Sequence, residues 1–476
     1  MTTPPSRRAT ESRLTAADRY DLAVLGGDPA AVVAARASAR RGLRVALVLP
    51  EAALPAEPAV ALVPPNELAR QIRQVQARVG CLTPAPPEEP GIDLWFGQPR
   101  FTSCCSLEAE GLAISFRRAI IATGRSPVID LEGASEAGCC LTPETLASLR
   151  ELPRRLAVIG CGPMACQWAQ AFRRFGSEVH LLAREPTLLP DEDLAAAAVI
   201  QDVFLHDDIR LHFGCTGMAV ERIGGLQAIV FSQQGQSSKL PVDQILLCGP
   251  RRPNIAALGL ESAGVACRGE GLVVNERLQT SQRRILAAGE VCDAALASLQ
   301  ARDATARLAV HNAFSLIPRR LDRLLIPRRV DTDPQVVQMG PTRREAQQRQ
   351  LETATYRVEL SAADDSLPPG RRRGFIAVEV ARRTGRIVGA TVVAEDADEL
   401  GAPLQVLISR RWPLSALAEV IPCRPSRNEL WQQLAEQYAA SRPSFFRRPW
   451  TKNLRREWTE NWHALLRFIR SKFGGR

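Results

Sequence analysis

Two stretches decide the fold, YDLAVLGGDPAAVVAARASARRGLRVALVLPE from Tyr20 to Glu51 and RRLAVIGCGPMACQWAQAFRRFGSEVHLLARE from Arg154 to Glu185. Each runs from a short apolar β-type segment through a glycine turn into an alanine-rich helical segment. One or two basic residues and a glycine follow, and then a second apolar strand. That succession is a βαβ unit whose turn places a dinucleotide pyrophosphate at a helix N-terminus. One glycine motif is weak evidence, whereas two in the same strand–turn–helix–strand setting are strong.

Working outward, AIIATGRSPVI (Ala119 to Ile129) lies between the two units and reads as an apolar strand ending in a tight Gly124 turn. After the second unit come alternating strands in LQAIVFSQQG and KLPVDQILLCG, then TSQRRILAAGEVCDA over 280–294. From about Ile326 the texture changes to GFIAVEVARRTGRIVGATVVAED, which predicts an antiparallel hairpin. Helical periodicity follows in ELGAPLQVLISRRW and NELWQQLAEQYAA.

The chain has 476 residues, 45% hydrophobic and 24% charged, which is room for about three domains and a large core. Its 34 prolines and 32 glycines show no period, which excludes a collagen-like fibre. No apolar run reaches the length of a membrane span, and MTTPPSRRATESRLTAADRY lacks a signal peptide's hydrophobic stretch. A floppy leader over 1–19 and a cytoplasmic protein are expected. Twelve cysteines are scattered without a CxxC, and the five histidines form no sequence cluster, so reduced thiols and no metal site are expected. The adjacent pairs Cys104–Cys105 and Cys139–Cys140 leave open a soft-metal site or a strained vicinal disulfide, with tolerated cytosolic thiols the commoner outcome. The net charge is +10, yet 441–476 holds ten basic residues and two glutamates, so the body carries little of it and nucleic-acid binding is not expected.

The two glycine turns, ATG at Ala122–Gly124, AAGEV at Ala287–Val291, DPQVVQMG at Asp333–Gly340 and the Gly374–Ala390 segment together resemble the pyridine nucleotide–disulfide oxidoreductases. The resemblance covers about Tyr20 to Ala440. It implies an α/β chain with two Rossmann-like dinucleotide-binding domains, a C-terminal α+β dimerisation domain and, beyond the family, a basic amphipathic helical tail. The expected division is an FAD-type domain in two parts (20–150 and 273–325), an NAD(P)H-type domain (151–272), a dimerisation domain (326–440) and the tail (441–476). FAD, a nicotinamide nucleotide and a homodimer are what the resemblance implies.

The same resemblance locates the family's chemistry, and here the chain departs from it. Relatives pass electrons from nicotinamide through flavin to a Cys-x4-Cys disulfide placed just after the first βαβ unit. In PAEPAVALVPPNEL those positions are Glu57 and Leu62, which carry no electrons. The family's C-terminal acid–base histidine is matched by Arg424 of CRPSRNE, and a guanidinium stays protonated. No catalytic residue is therefore assigned. At the FAD turn, Gly26, Gly27 and Ala31 remain, but Asp28 replaces the glycine that lets backbone approach the pyrophosphate. A carboxylate there faces a phosphate, a like-charge contact of several kcal/mol when desolvated. Leu49 replaces the ribose-binding acid, whereas Thr123, Gly124 and Glu290 are kept. FAD binding is left open on this balance.

The nicotinamide turn is better preserved: Gly160, Gly162 and Ala165 supply the turn, the close approach and the helix–strand packing. The strand ends in Ala183–Arg184 without a carboxylate, and Arg184 suits a 2′-phosphate, so NADPH is favoured over NADH. Gln167 replaces a glutamate that many relatives carry. Cys161 and Cys166 show Cys-x4-Cys spacing inside this turn, where small packing residues are the ordinary reading. In the tail, Leu454, Trp458, Trp462, Leu465, Ile469 and Phe473 share one helical face with basic flanks. That pattern suits an anionic membrane surface through 454–473, or docking on protein. Two functions stay open: an FAD/NAD(P)H oxidoreductase with altered or reduced activity on an unknown acceptor, and a non-catalytic dimeric scaffold or nucleotide sensor.

Overall fold

The structure is a computed structural model that describes residues 19–50, 67–79, 87, 89–133, 140–223, 226–269, 271–363, 373–423 and 426–441. The first unit contains β1 (Tyr20–Leu25), β2 (Val45–Leu49), β3 (Ile92–Phe96), β4 (Arg100–Ser103), β5 (Ser106–Ala109) and β6 (Leu112–Ile121) in the order β3-β2-β1-β6-β5-β4. β1 runs parallel to both β2 and β6, with Leu22 opposite Val45 and Arg118. Both faces of β1 are covered, which is why, after Asp21, the strand is continuously apolar from Leu22 to Leu25 rather than alternating. The helix Pro29–Ala39 connects β1 to β2, and Pro at its first position supplies the pre-set φ of a helix start.

A two-stranded ribbon of β7 (Arg125–Pro127) and its later antiparallel partner carries the chain to and from the second unit. That unit holds β8 (Cys140–Leu141), β9 (Arg155–Ile159), β10 (Glu178–Leu182) and β11 (Arg210–His212). A meander of β12 (Thr216–Ile223), β13 (Leu226–Gln233) and β14 (Gln236–Val242) precedes β15 (Gln244–Leu247), and β16 (Arg251–Pro253) closes the ribbon against β7. Its parallel sheet has the order β11-β10-β9-β15-β8. The helix Pro163–Phe175 crosses from β9 to β10 and buries Ala165, Trp168, Ala169 and Phe172. Gly176 ends it at φ +109, in the left-handed conformation that glycine adopts without a Cβ penalty.

After β17 (Cys267–Arg268) and β18 (Gly271–Leu272), the chain returns to the first sheet as β19 (Ile285–Ala287), parallel to β6. The helix Leu299–Phe314 then packs on Pro29–Ala39, and Ser298 caps it by accepting from the Ala301 amide. This return sets residues near 290 and 302 over the first glycine turn.

The C-terminal sheet is antiparallel, β20 (Arg328–Val330), β21 (Gln335–Met339), β22 (Thr353–Glu359), β23 (Phe375–Ala381) and β24 (Ile387–Ala394), in the order β20-β21-β24-β23-β22. β23 and β24 form the hairpin anticipated from GFIAVEVARRTGRIVGATVVAED, with Phe375 opposite Val393. Helices Ala397–Arg410 and Leu430–Ser441 cover one face, while Val336, Phe375 and Val393 on the other share a core with Leu188, Leu189 and Ala196 of the second unit. Among the described residues, no helix is long and apolar enough to cross a membrane.

Candidate functional sites at the two glycine turns

In the first turn Gly26 has φ +121, and a Cβ there would collide with the Ala122 carbonyl oxygen, so glycine is required. Ala31 is fully buried beneath the turn. Asp28 is the N-cap: its Oδ1 accepts from the Ala30 amide at 2.8 Å, using a donor at the helix N-terminus that an incoming anion would need. The Asp28 carboxylate does not stand alone. Arg302 Nε lies 3.5 Å from Asp28 Oδ2, and Arg302 Nη2 lies 3.1 Å from Glu290 Oε1. The side chains of Asp28, Glu290 and Arg302 are 5%, 4% and 10% exposed, so the three meet out of water.

The bare backbones of Gly124 and Gly289 open onto the same carboxylates. A Cβ on Gly124 would lie 3.0 Å from Asp28 Oδ2, and one on Gly289 would lie 3.3 Å from Asp28 Oδ1. Burial pushes the Asp28 carboxyl up to about 6; Arg302 and the Ala30 amide pull it down, while Glu290 pushes it further up. The cluster continues outward. Arg125 donates from its backbone N–H to Glu290 Oε1 and from its Nε to the Glu290 carbonyl. Arg251 approaches Glu290 at 3.8 Å, donates to the Arg125 carbonyl at 2.6 Å and pairs with Glu144.

One expectation changes here. The charge anticipated at Asp28 as an uncompensated repulsion is met by Arg302, a residue from the far end of the first unit that the sequence reading did not single out. Glu290, expected as an acid at the cofactor, lies beside the same Arg302. Leu49 is buried at 2% among core side chains and offers no polar atom to a ribose. Thr123 Oγ1 is buried without a hydrogen-bond partner, while its carbonyl accepts from Asn254.

The second turn is built differently. Gly160 has φ +131, and a Cβ there would lie 2.6 Å from the Cys248 carbonyl oxygen. Gly162 is the N-cap of Pro163–Phe175 with no side chain to cap it, and the space beside it is open. The positive end of this helix's dipole therefore lies beside that open space. Ala165 is fully buried against the turn.

Arg184 is exposed and lies 3.9 Å from Asp130. The next residue, Glu185, brings a carboxylate to the turn: the Cys161 thiol donates to Glu185 Oε2 at 3.1 Å. Burial, then Glu185, pushes the Cys161 thiol up to about 12, and burial pushes Cys166 well above the usual thiol range. Cys166 donates to the Cys161 carbonyl. Both are free thiols held protonated by their surroundings, which agrees with a packing role.

Elsewhere, His180 and His212 stack and meet at 3.1 Å between ring nitrogens, so two of the histidines do pair across β10 and β11. Among the described residues no group of three metal-ligating side chains forms. Cys104 and Cys105, free thiols, sit at the tip of the β4–β5 hairpin. Glu429 is used locally, in a capping box with Ser426. Glu57, Leu62, Arg424, Cys139 and the tail face at 454–473 lie outside the described residues.

Comparison with known proteins follows the same outline. The family described as pyridine nucleotide-disulphide oxidoreductase matches residues 20–313, and its dimerisation domain matches 326–435. The chain is 32% identical over 316 residues to a mercuric reductase of Staphylococcus aureus, covering 66% of this chain and 57% of that one. It is 31% identical to a mercuric reductase of Acidithiobacillus ferrooxidans, covering 75% and 66%. A dihydrolipoyl dehydrogenase of Bacillus subtilis is 24% identical, covering 72% and 74%. The match thus spans less than two thirds of these mercuric reductases. In fold, the chain is similar to the HOCl-induced flavoprotein disulfide reductase RclA of Escherichia coli, with a TM-score of 0.73 at 22% identity, covering 88% and 99%.

Proposed function

The chain belongs to the pyridine nucleotide-disulphide oxidoreductase family, whose members are FAD-dependent and use NAD(P)H, and we propose that it serves there as a nicotinamide-nucleotide-binding protein without thiol–disulphide exchange. The observation that carries this reading is the contrast between the turns: the helix after Gly162 starts uncapped beside open space, whereas the helix after Asp28 is capped by a buried carboxylate. At the second turn the pyrophosphate accepts from the first N–H groups of Pro163–Phe175, with Gly160 and Gly162 bringing backbone to it. Arg184 pairs with a 2′-phosphate and favours NADPH, while Glu185 is drawn to Cys161. Glu57 and Leu62 at the family's thiol positions, and Arg424 at its histidine, support a protein that carries neither the relay nor its proton partner. The division into 20–150, 151–272, 273–325 and 326–440 and a homodimer through the last segment are part of this reading.

Charge arithmetic at the mouth gives the test. Arg184→Ala is expected to weaken NADPH about tenfold and NADH little, since an exposed charge-assisted pair is worth roughly 1.5 kcal/mol. Glu185→Gln is expected to tighten NADPH by a few-fold. Both are read by titrating nucleotide fluorescence, and wild-type protein that binds neither nucleotide ends the proposal. A second reading, an NADPH-dependent oxidoreductase on a small acceptor, is favoured by the retained Gly26 and Thr123–Gly124 turn. A visible flavin band bleached by NADPH selects it.

The 454–473 spacing supports a further assignment, association with an anionic membrane surface on the cytoplasmic side. Full-length protein is expected to pellet with phosphatidylserine vesicles at low salt, and a chain ending at 440 to stay in the supernatant. Equal pelleting removes this assignment.

A further inference from the structure

The family's flavin does not fit the first turn as this chain builds it: we infer that the FAD cradle is closed by the chain's own Asp28–Arg302–Glu290 bridge, and that the first nucleotide fold is a structural lock. Three physical features converge on this.

The first is space. The glycines at 124 and 289 leave the hollow that a pyrophosphate uses in a fold of this kind, and the Asp28 side chain fills it, 3.0 Å from where a Cβ of Gly124 would stand. The second is donors. An anion at this helix start must take the Ala30 amide, which already donates to Asp28 Oδ1 at 2.8 Å. Displacing an N-cap carboxylate forfeits the cap and leaves Asp28 beside the anion.

The third is charge. Arg302 would be a good phosphate ligand if free, but it is shared between Asp28 and Glu290. Arg251, next nearest, is shared between Glu290 and Glu144. The Arg125 guanidinium donates to the carbonyls of Glu290 and Arg251. The three cations thus stand against the three carboxylates Asp28, Glu290 and Glu144, and the cluster carries no net positive charge to draw a dianionic group out of water. At the other end of such a ligand, the ribose meets Leu49, an apolar side chain buried at 2%.

What the bridge does instead follows from where it leads. From Glu290 the contacts pass to Arg125 on β7 and Arg251 on β16, then to Glu144 beside the second unit. β7 and β16 are the paired strands by which the chain leaves the first unit and returns to it. The closed cradle therefore ties the first unit to the ribbon that carries the nicotinamide-binding unit.

The test is gain of flavin binding by the full chain. Wild-type protein and its Asp28→Gly and Asp28→Ser variants are dialysed against FAD and bound flavin is measured by absorbance, with circular dichroism to verify folding. Wild-type protein is expected to hold no stoichiometric FAD. Asp28→Gly, which frees the Ala30 amide and leaves Arg302 with one carboxylate fewer, is expected to bind at least tenfold tighter than wild type. Asp28→Ser keeps the cap without the charge and is expected to fall between them.

Wild-type protein with one tightly bound FAD per chain overturns the inference. So do folded variants that bind no better than wild type, since the bridge is then not what closes the site. NADPH titration of the same samples reports separately on the second turn, so loss of one reading leaves the other standing.

Discussion

Replacing Arg302 by leucine is expected to lower folding stability at pH 8 by about 3–5 kcal/mol, the usual cost of leaving a buried charge without its partner. The change removes the guanidinium from Asp28 and Glu290 while both carboxylates stay at 5% exposure or less. Leucine fills most of the volume, so cavity formation contributes little and the loss is electrostatic. A second change, Asp28→Asn in the Arg302→Leu background, is expected to restore part of it, and the cycle should return an interaction of about 1–3 kcal/mol.

The pH dependence has a definite sign. Burial raises the folded-state pKa of Asp28 from 3.8 to about 6, so the neutral form is the better folded one. Its contribution is fully present below pH 4 and is lost as pH rises through 6. Wild-type protein should therefore lose ground to Asp28→Asn between pH 4 and 7, by up to about 3 kcal/mol, the free energy that separates the ordinary pKa from the raised one. The penalty of Arg302→Leu should shrink as pH falls towards 6, because losing the cation raises the Asp28 pKa further and an Asp28 protonated in both proteins no longer needs it. Urea unfolding followed by tryptophan fluorescence measures all of this. If Arg302→Leu matches wild type at pH 8, the bridge is not a stabilising element.

The architecture was largely legible because its determinants are local. Apolar runs bounded by Gly26 and Gly160, prolines at the first helical positions, and the period-two pattern of 375–394 each act within a few residues. Asp28 was legible as an anomaly, but its consequence was not, because that depends on Arg302 reaching the turn from the returning helix. A trace of the answer does exist in the sequence. Arg302 shares a helical face with Thr305, Ala306, Ala309 and Ala313, all buried, and an arginine in a stripe of small inward residues implies a buried anion opposite.

Glu185 and the histidine pair show the other limit. Reading the β10 strand as far as Arg184 gave a mouth without a carboxylate, yet the next residue turns back onto Cys161. His180 and His212 meet because β11 pairs β10 with Leu182 opposite His212, and a parallel register between strands joined by a long crossover has no local signature. Tertiary register decides such contacts.

Gly160→Ala and Gly162→Ala should separate the two things that the second turn does. At Gly160 the backbone has φ +131, and the added methyl would lie 2.6 Å from the Cys248 oxygen and 3.1 Å from its carbon. Neither side can retreat, because β9 is paired along its length to β10 and to β15, the strand that ends just before Cys248. Backbone strain of about 1–3 kcal/mol and overpacking of similar size should together cost roughly 3–5 kcal/mol and disorder the turn. NADPH affinity should fall at least a hundredfold, on the order of 2.7 kcal/mol.

Gly162 differs in each respect. Its φ of −75 suits any residue, and the position of an added methyl is open. The melting temperature of Gly162→Ala should stay near that of wild type, while its methyl intrudes on the space where backbone must meet the pyrophosphate, and NADPH should weaken about tenfold or more. Thermal melts and fluorescence titrations of the pair give the answer. A Gly162→Ala protein that binds NADPH as wild type does would mean that the nucleotide does not lie on this helix start, and the functional reading would go with it.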